Sequence, residues 1–341
     1  MMRFAAALLG LFLFASAPSF RLATPGYQWH FPADDFAHPN YSTEWWYFTG
    51  NLRSVNGRQY GFELTYFRVS PAPDTPLDRQ LYFTHFTITD AAGHRFLLHT
   101  RARRGNWQQA GIKPIAGGFE LWNENWQADF DASGPRHLHA VWADMNLDLS
   151  LTPGPRMLNG INGWSQKGPS PGQASYYYSF PHVSVQGSVL GAPVQGLTWM
   201  DHEFATNQLA ADQQGWDWMG LHLPLGDLML FNLRLTDGRR DPHSAGTWRP
   251  RTGPQVALTA SDFQMTPLRR WHDYPVAWRV SIPRLNLHFE VQPLLDDQEV
   301  RDPAIGVNYW EGAVWISTGG MGYLELTGYG KRFGLLQTSP D

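Results

Sequence analysis

Short runs in which apolar and polar residues alternate, each closed by turn residues, recur along this chain, and no long stretch carries the 3.6-residue period of an amphipathic helix. The alternation predicts strands near 44–52, 59–69, 80–89, 95–103, 118–123, 126–132, 137–143 and 145–151. Between them stand Val55-Asn-Gly57, Asp90-Ala-Ala-Gly93 and Ser133-Gly-Pro135, turn signals of the kind that join antiparallel neighbours. Eight such strands form a meander long enough to close a β-barrel. Gly168-Pro-Ser-Pro-Gly172 reads as a loop, and the aromatic run Tyr176-Tyr-Tyr178 follows it.

The second half repeats the first. Trp45-x-Tyr47 with Asn51-Leu52, then Tyr60 to Arg68, is echoed by Trp216-x-Trp218 with His222-Leu223, then Leu228 to Arg234. Gly196 to Phe204 likewise matches Gly322 to Tyr329. An offset of about 170 residues implies two similar domains meeting near Leu209 to Gln214. The expected division is a leader at 1–22, a first domain at 23–208 and a second at 209–341.

Composition supports an all-β fold: 14% aromatic residues favour strands, and 33 Gly with 25 Pro favour turns. The net charge is 26 − 30 = −4, and the basic residues are scattered apart from Arg101-Ala-Arg-Arg104, so no nucleic-acid partner is expected. Cysteine is absent, which excludes disulfides, thiol catalysis, thiolate metal sites and a lipobox. Arg3, the apolar run Phe4 to Phe14 and Ala15-Ser-Ala17 describe a secretory signal peptide. Pro18 disfavours cleavage after Ala17, so the alternatives are a periplasmic or secreted protein and one held near the inner membrane by an uncleaved leader.

The segment Gly196-Leu-Thr-Trp-Met-Asp-His-Glu-Phe204 is the main site candidate, because it puts charged groups on what otherwise reads as a buried strand. Side chains alternate on a strand, so Trp199, Asp201 and Glu203 share one face while Met200, His202 and Phe204 share the other. Asp201 and Glu203, about 6.6 Å apart, are placed to address one ligand or share a proton. A carboxyl held against tryptophan stays protonated at neutral pH, which makes either one a candidate general acid. The alternative is that Asp201 caps a turn and His202 and Glu203 belong to a structural network.

Glu44 shares a face with Trp46, and is either a second acid in the same cavity or the partner of an arginine at the barrel mouth. Glu63 and Glu325 stand in matching Glu-Leu-Thr segments, which argues for a repeated structural role with Arg68 or a backbone group as partner. His137 and His139 project from one strand face, but no third ligand stands nearby and no metal is expected. No Gly-x-Ser-x-Gly elbow and no Gly-x-Gly-x-x-Gly loop occurs.

In order along the chain, His38-Pro-Asn-Tyr-Ser-Thr-Glu-Trp-Trp-Tyr-Phe-Thr-Gly50, Trp199-Met-Asp-His-Glu-Phe204, Gly215-Trp-Asp-Trp218, Tyr309-Trp-Glu-Gly312 and Gly322-Tyr-Leu-Glu-Leu-Thr-Gly-Tyr329 resemble the AttH-like/carotenoid 1,2-hydratase family of bacterial secreted hydrolases. The resemblance implies two lipocalin-like β-barrels in tandem. It also implies acid-catalysed addition of water to a terminal double bond, with Asp201 as proton donor and no metal or organic cofactor. Glu203, Glu44 or His202 would then orient or deprotonate the water, and Trp46, Tyr176, Tyr178, Trp199, Trp216 and Trp218 are the candidate ligand-binding aromatics. The leading expectation is an exported protein taking an apolar, isoprenoid or lipid-like ligand. The rival is a non-catalytic periplasmic lipid-binding or envelope-transport accessory protein.

Overall fold

The computed structural model describes residues 19–105, 109–207, 209–302 and 306–329, so most of the expected leader lies outside the described residues. The chain folds into antiparallel strands in two sheets. The first holds β1 (Thr43–Ser54), β2 (Gln59–Val69), β3 (Leu81–Asp90), β4 (Arg95–Arg104), β5 (Ala110–Ile115), β6 (Gly118–Asn123), β7 (Trp126–Asp131), β8 (Gly134–Trp142), β9 (Met145–Pro153), the short β10 (Met157–Leu158) and β11 (Trp164–Gln166), then β12 (Ala174–Val189) and β13 (Ala192–Ala205). The second holds β14 (Gln213–Leu223), β15 (Gly226–Leu235), β16 (Ala245–Pro250), β17 (Val256–Thr259), β18 (Gln264–Trp271), β19 (Tyr274–Ile282), β20 (Leu287–Pro293), β21 (Glu299–Asp302), β22 (Val307–Ile316) and β23 (Met321–Thr327).

The first sheet curls into a nearly closed barrel and the second into a half-barrel, an all-β, lipocalin-like architecture. In each, the first strand lies between the second and the last: β1 between β2 and β13, β14 between β15 and β23. Trp45 and Trp216 thus stand on equivalent first strands.

Alternation builds the barrel walls. On β7, Trp126, Ala128 and Phe130 are buried while Gln127, Asp129 and Asp131 are half-exposed. The inward residues of the first sheet, among them Trp46, Phe48, Phe62, Leu64, Tyr178, Phe180 and Met200, form one apolar core. Met219, Leu221, Leu228, Trp310 and Leu324 belong to the core of the second. Each such fully buried apolar side chain contributes about 1.5–3 kcal/mol.

β13 breaks the alternating pattern, for every residue from Thr198 to Ala205 is buried. Its outward face, with those of β1 and β12, is covered by the outward faces of β14, β15 and β22–β23, forming a third apolar layer of Tyr47, Tyr177, Trp199, Trp218, Phe231, Ala313 and Tyr323. The two units therefore pack back to back. Glycine permits the close approach: a Cβ at Gly61 would stand 2.5 Å from the Ala313 Cβ, and one at Gly220 would stand 3.0 Å from the Trp199 ring.

Candidate active site between the two barrels

Asp201 projects from the outward face of β13 into the layer between the units and is 3% exposed. Its Oδ1 accepts hydrogen bonds from Ser179 Oγ (2.5 Å) and Trp199 Nε1 (2.6 Å), and its Oδ2 accepts one from the Tyr177 hydroxyl (2.7 Å). Tyr177 in turn accepts from Trp218 Nε1 on the second unit (3.1 Å). Trp199 and Trp218 meet edge to face with ring centroids 6.0 Å apart. Burial pushes the Asp201 carboxyl up, against the three hydrogen bonds that favour its ionised form, to about 7, and the charge of Glu203 adds to the rise.

Glu203 shares that face, and its Oε1 lies 3.4 Å from Lys167 Nζ. Lys167 is itself buried, with its Nζ 3.9 Å from the centre of the Phe231 ring, and burial lowers its pKa. Trp216 donates its Nε1 hydrogen to Glu325 (2.9 Å). Trp199, Asp201 and Glu203 thus share one face, as the strand parity required, and Trp216 and Trp218 of β14 lie in the same layer.

The remaining candidates are not brought to this place. His202 leaves β13 on the inward face: its Nε2 lies 2.8 Å from Glu44 Oε1, its Nδ1 2.9 Å from the Tyr178 hydroxyl, and its ring stacks on Trp46. Glu44 also accepts from Arg68 Nε (2.7 Å), the alternative in which it partners an arginine. Burial opposes its ionisation, yet the charges of Arg68 and His38 hold it well below the usual carboxylate range. Trp46 donates to the Asp35 carbonyl, and Tyr178 donates to Asp35 Oδ1 (2.6 Å). Tyr176 packs with Tyr27, Tyr41 and Phe204. Glu44, Trp46, Tyr176, Tyr178 and His202 therefore line the interior and mouth of the first barrel, on the far side of the sheet from Asp201.

One expected pairing is corrected. Glu63 does not bond Arg68, which Glu44 occupies; its Oε1 accepts from Thr65 and from the Tyr309 hydroxyl of the second unit. Nor do Glu63 and Glu325 play one repeated part, since they sit on β2 and β23 and converge from opposite sides on Glu311 of β22. His137 and His139 both bind Asp148, at 3.2 and 2.9 Å.

Sequence reasoning missed two sets of residues. Tyr177 and Ser179 contact Asp201 because they stand opposite Glu203 and Asp201 in the β12–β13 register. The second set is a group of buried acids across the interface. Tyr47 donates to Glu311 Oε1 (2.7 Å), while Glu311 Oε2 and Glu63 Oε2 have no hydrogen-bond partner among the described residues. Burial and the neighbouring Glu63 and Glu325 charges raise the Glu311 pKa well above normal, and burial raises that of Glu325 to about 8. Tyr309-Trp-Glu-Gly312 carried the signal: a lone glutamate in the otherwise apolar run Tyr309 to Ile316.

Two lipocalin-like units packed back to back, with a buried carboxyl of raised proton affinity in the shared layer, define the class of protein. Residues 22–329 match the AttH-like family model, and the chain belongs to that family. Among solved structures, a putative AttH from Nitrosomonas europaea is 33% identical, with a TM-score of 0.79 over 91% of this chain and 100% of that one. Kievitone hydratase from Nectria haematococca is 15% identical, with a TM-score of 0.62 over 92% of this chain and 97% of its own. CghA is 12% identical, with a TM-score of 0.51 over 84% and 88%. The last two likenesses are of fold. No curated protein sequence matches the chain.

Proposed function

We propose that this is an exported protein that takes an apolar, isoprenoid or lipid-like molecule between its two units and adds water to a carbon–carbon double bond of it by acid catalysis. The observation that carries this reading is Asp201, a carboxyl with a pKa of about 7 enclosed by Trp199, Tyr177 and Trp218. At neutral pH such a group is divided between acid and carboxylate, the state a general acid needs. In the reaction, the acid form gives its proton to one alkene carbon, the π electrons form the C–H bond, and the adjacent carbon becomes a cation. Water bonds to that cation, and the proton it releases returns to Asp201 directly or through Glu203, so that one water is added and the enzyme is restored. The indole faces of Trp199 and Trp218 stabilise the cation. Kievitone hydratase, which shares the fold, is named for water addition.

Changing Asp201→Asn tests this. With an acyclic isoprenoid bearing a terminal trisubstituted alkene as substrate, turnover should fall about 10²–10⁴-fold while binding persists, since an amide cannot deliver the proton. The saturation of Asp201 by three neutral donors favours a second reading, lipid carriage without catalysis. In that case the variant loses about 1–3 kcal/mol of stability and no turnover is present to lose. A variant that binds, melts and turns over as the parent does removes Asp201 from the mechanism. Export is tested by fusing residues 1–25 to a reporter active only outside the cytoplasm; a cytoplasmic signal alone rejects it.

A further inference from the structure

Away from Asp201, three metal-capable side chains converge at the seam of the two units. His182 comes from β12 of the first, and His222 of β14 and Asp227 of β15 come from the second. The Nδ1 atoms of both histidines face the same carboxylate oxygen, Asp227 Oδ1, at 3.4 Å for His182 and 3.1 Å for His222. One ligand atom from each of the three lies within 4.8 Å of the others. Zinc bonds of about 2.0–2.2 Å at tetrahedral angles put neighbouring donor atoms about 3.3–3.5 Å apart, so the His182 spacing suits a shared ion and the His222 spacing needs to open by a few tenths of an ångström.

The backbone is shaped to bring His182 there. Phe180 and Val183 are successive inward residues of the first core yet stand three positions apart, and the β12–β13 register breaks between them. Strict alternation from Tyr178 and Phe180 would turn His182 into the barrel. The irregularity instead leaves it outward, the re-aiming of a side chain for which bulges are used.

The protonation pattern fits as well. Arg251 Nη1 lies 3.2 Å from His182 Nδ1, and an arginine can only donate, so that nitrogen carries no hydrogen, and an ion would take its lone pair in place of the Arg251 hydrogen. Arg251 also donates to Asp227 Oδ2 (2.7 Å), orienting the carboxylate while leaving Oδ1 to the histidines. The His182 side chain is 37% exposed and those of His222 and Asp227 only 4% and 2%, which gives a dry pair of ligands with a solvent-facing third. The other convergent set, His38, Glu44 and His202, is tighter: its 2.7 and 2.8 Å separations fall further below the spacing of donors around one ion than the 3.1 Å of His222 and Asp227.

We propose that His182, His222 and Asp227 form a divalent transition-metal site, suited to zinc, that clasps the two units together, with water as the fourth ligand. This goes beyond the reading of Asp201 and does not depend on it. The test is zinc titration of the untagged full chain by calorimetry, with metal content measured after dialysis, on the parent, His182→Ala, His222→Ala and the control His139→Ala. One zinc per chain is expected, held at least about tenfold more weakly by each of the first two variants and unchanged in the control, together with a zinc-dependent rise in melting temperature in the parent and the control but not in those two variants. His182→Ala removes a half-exposed side chain, so it remains decisive if His222→Ala folds poorly. No zinc uptake by the parent at 100 times protein concentration overturns the proposal, as does uptake that His182→Ala leaves intact or that His139→Ala abolishes.

Discussion

The side chains of Asp201 and His202 leave β13 in opposite directions, one to the Tyr177 hydroxyl between the units and the other to Glu44 inside the first barrel. Adjacent residues thus serve separate networks, and the wall between them is a single layer of strand. The Asp201 side holds carboxyls whose proton affinity is raised. The His202 side holds an ionised glutamate pinned by Arg68.

That contrast predicts different costs for the same substitution. Glu44→Gln removes a negative charge from a buried pair and leaves Arg68 without its counter-ion, a loss of about 3–5 kcal/mol. Glu311→Gln replaces an acid whose proton affinity burial and the neighbouring carboxylates raise with a near-isostere that still accepts from Tyr47, at about 1 kcal/mol or less. Urea unfolding of both variants decides it, and equal costs would refute the assignment of charge.

Stability should depend on pH from both sides. The native pKa of about 7 at Asp201 and about 8 at Glu325 exceeds the unfolded values of 3.8 and 4.5. Their contribution is fully present below about pH 4 and lost as pH rises through about 7 to 8. Glu44 and Asp227 work the other way: burial opposes their ionisation, but Arg68 and His38 for the first, and His182 and His222 for the second, hold both native pKa values low. Their contribution is present above the unfolded carboxylate range and lost as pH falls through it. Melting temperature should therefore peak in acid solution, about pH 4–5, just above the unfolded carboxylate range. Asp201→Asn and Glu325→Gln should each flatten the alkaline limb; a limb unchanged in both would exclude these groups as its cause.

Tyr177→Phe deletes the donor to Asp201 Oδ2, which favours the carboxylate form. The Asp201 pKa should then rise above its parent value of about 7, and the cost in stability should be about 1 kcal/mol. Carbon-13 titration of labelled aspartate reads the shift directly, and a fall would contradict the hydrogen-bond direction.

Most strands were legible where one face meets water. β6 and β7 follow their alternation to within a residue of the prediction, because wetting and burial trade places at every step. β12, sixteen residues long, showed only as an aromatic run, since its first half is buried on both faces and alternation disappears. β5 and β18 carry Pro114 and Pro267; β5 is buried in its first half and exposed in its second, and β18 is almost wholly exposed, so neither shows an alternating period. At the site, parity along one strand gave Trp199, Asp201 and Glu203 correctly. Tyr177 depends on the pairing of β12 with β13, and the Glu63–Glu311–Glu325 group on the docking of two units; neither is written in local pattern. The same limit scattered Trp46, Tyr176 and Tyr178, which parity alone cannot assign to one side of a barrel wall.

Burial of β13 on both faces has a consequence for how the molecule holds together. Taken alone, the first barrel would present Tyr47, Trp199 and Tyr177 to water, and the second would present Trp218, Phe231 and Tyr323. The convex back of each unit is therefore as much an interior as its hollow, and the pair is one cooperative object. An excised half would be a sticky, half-finished surface, and the acids whose proton affinity the seam raises would ionise more readily as soon as it opened.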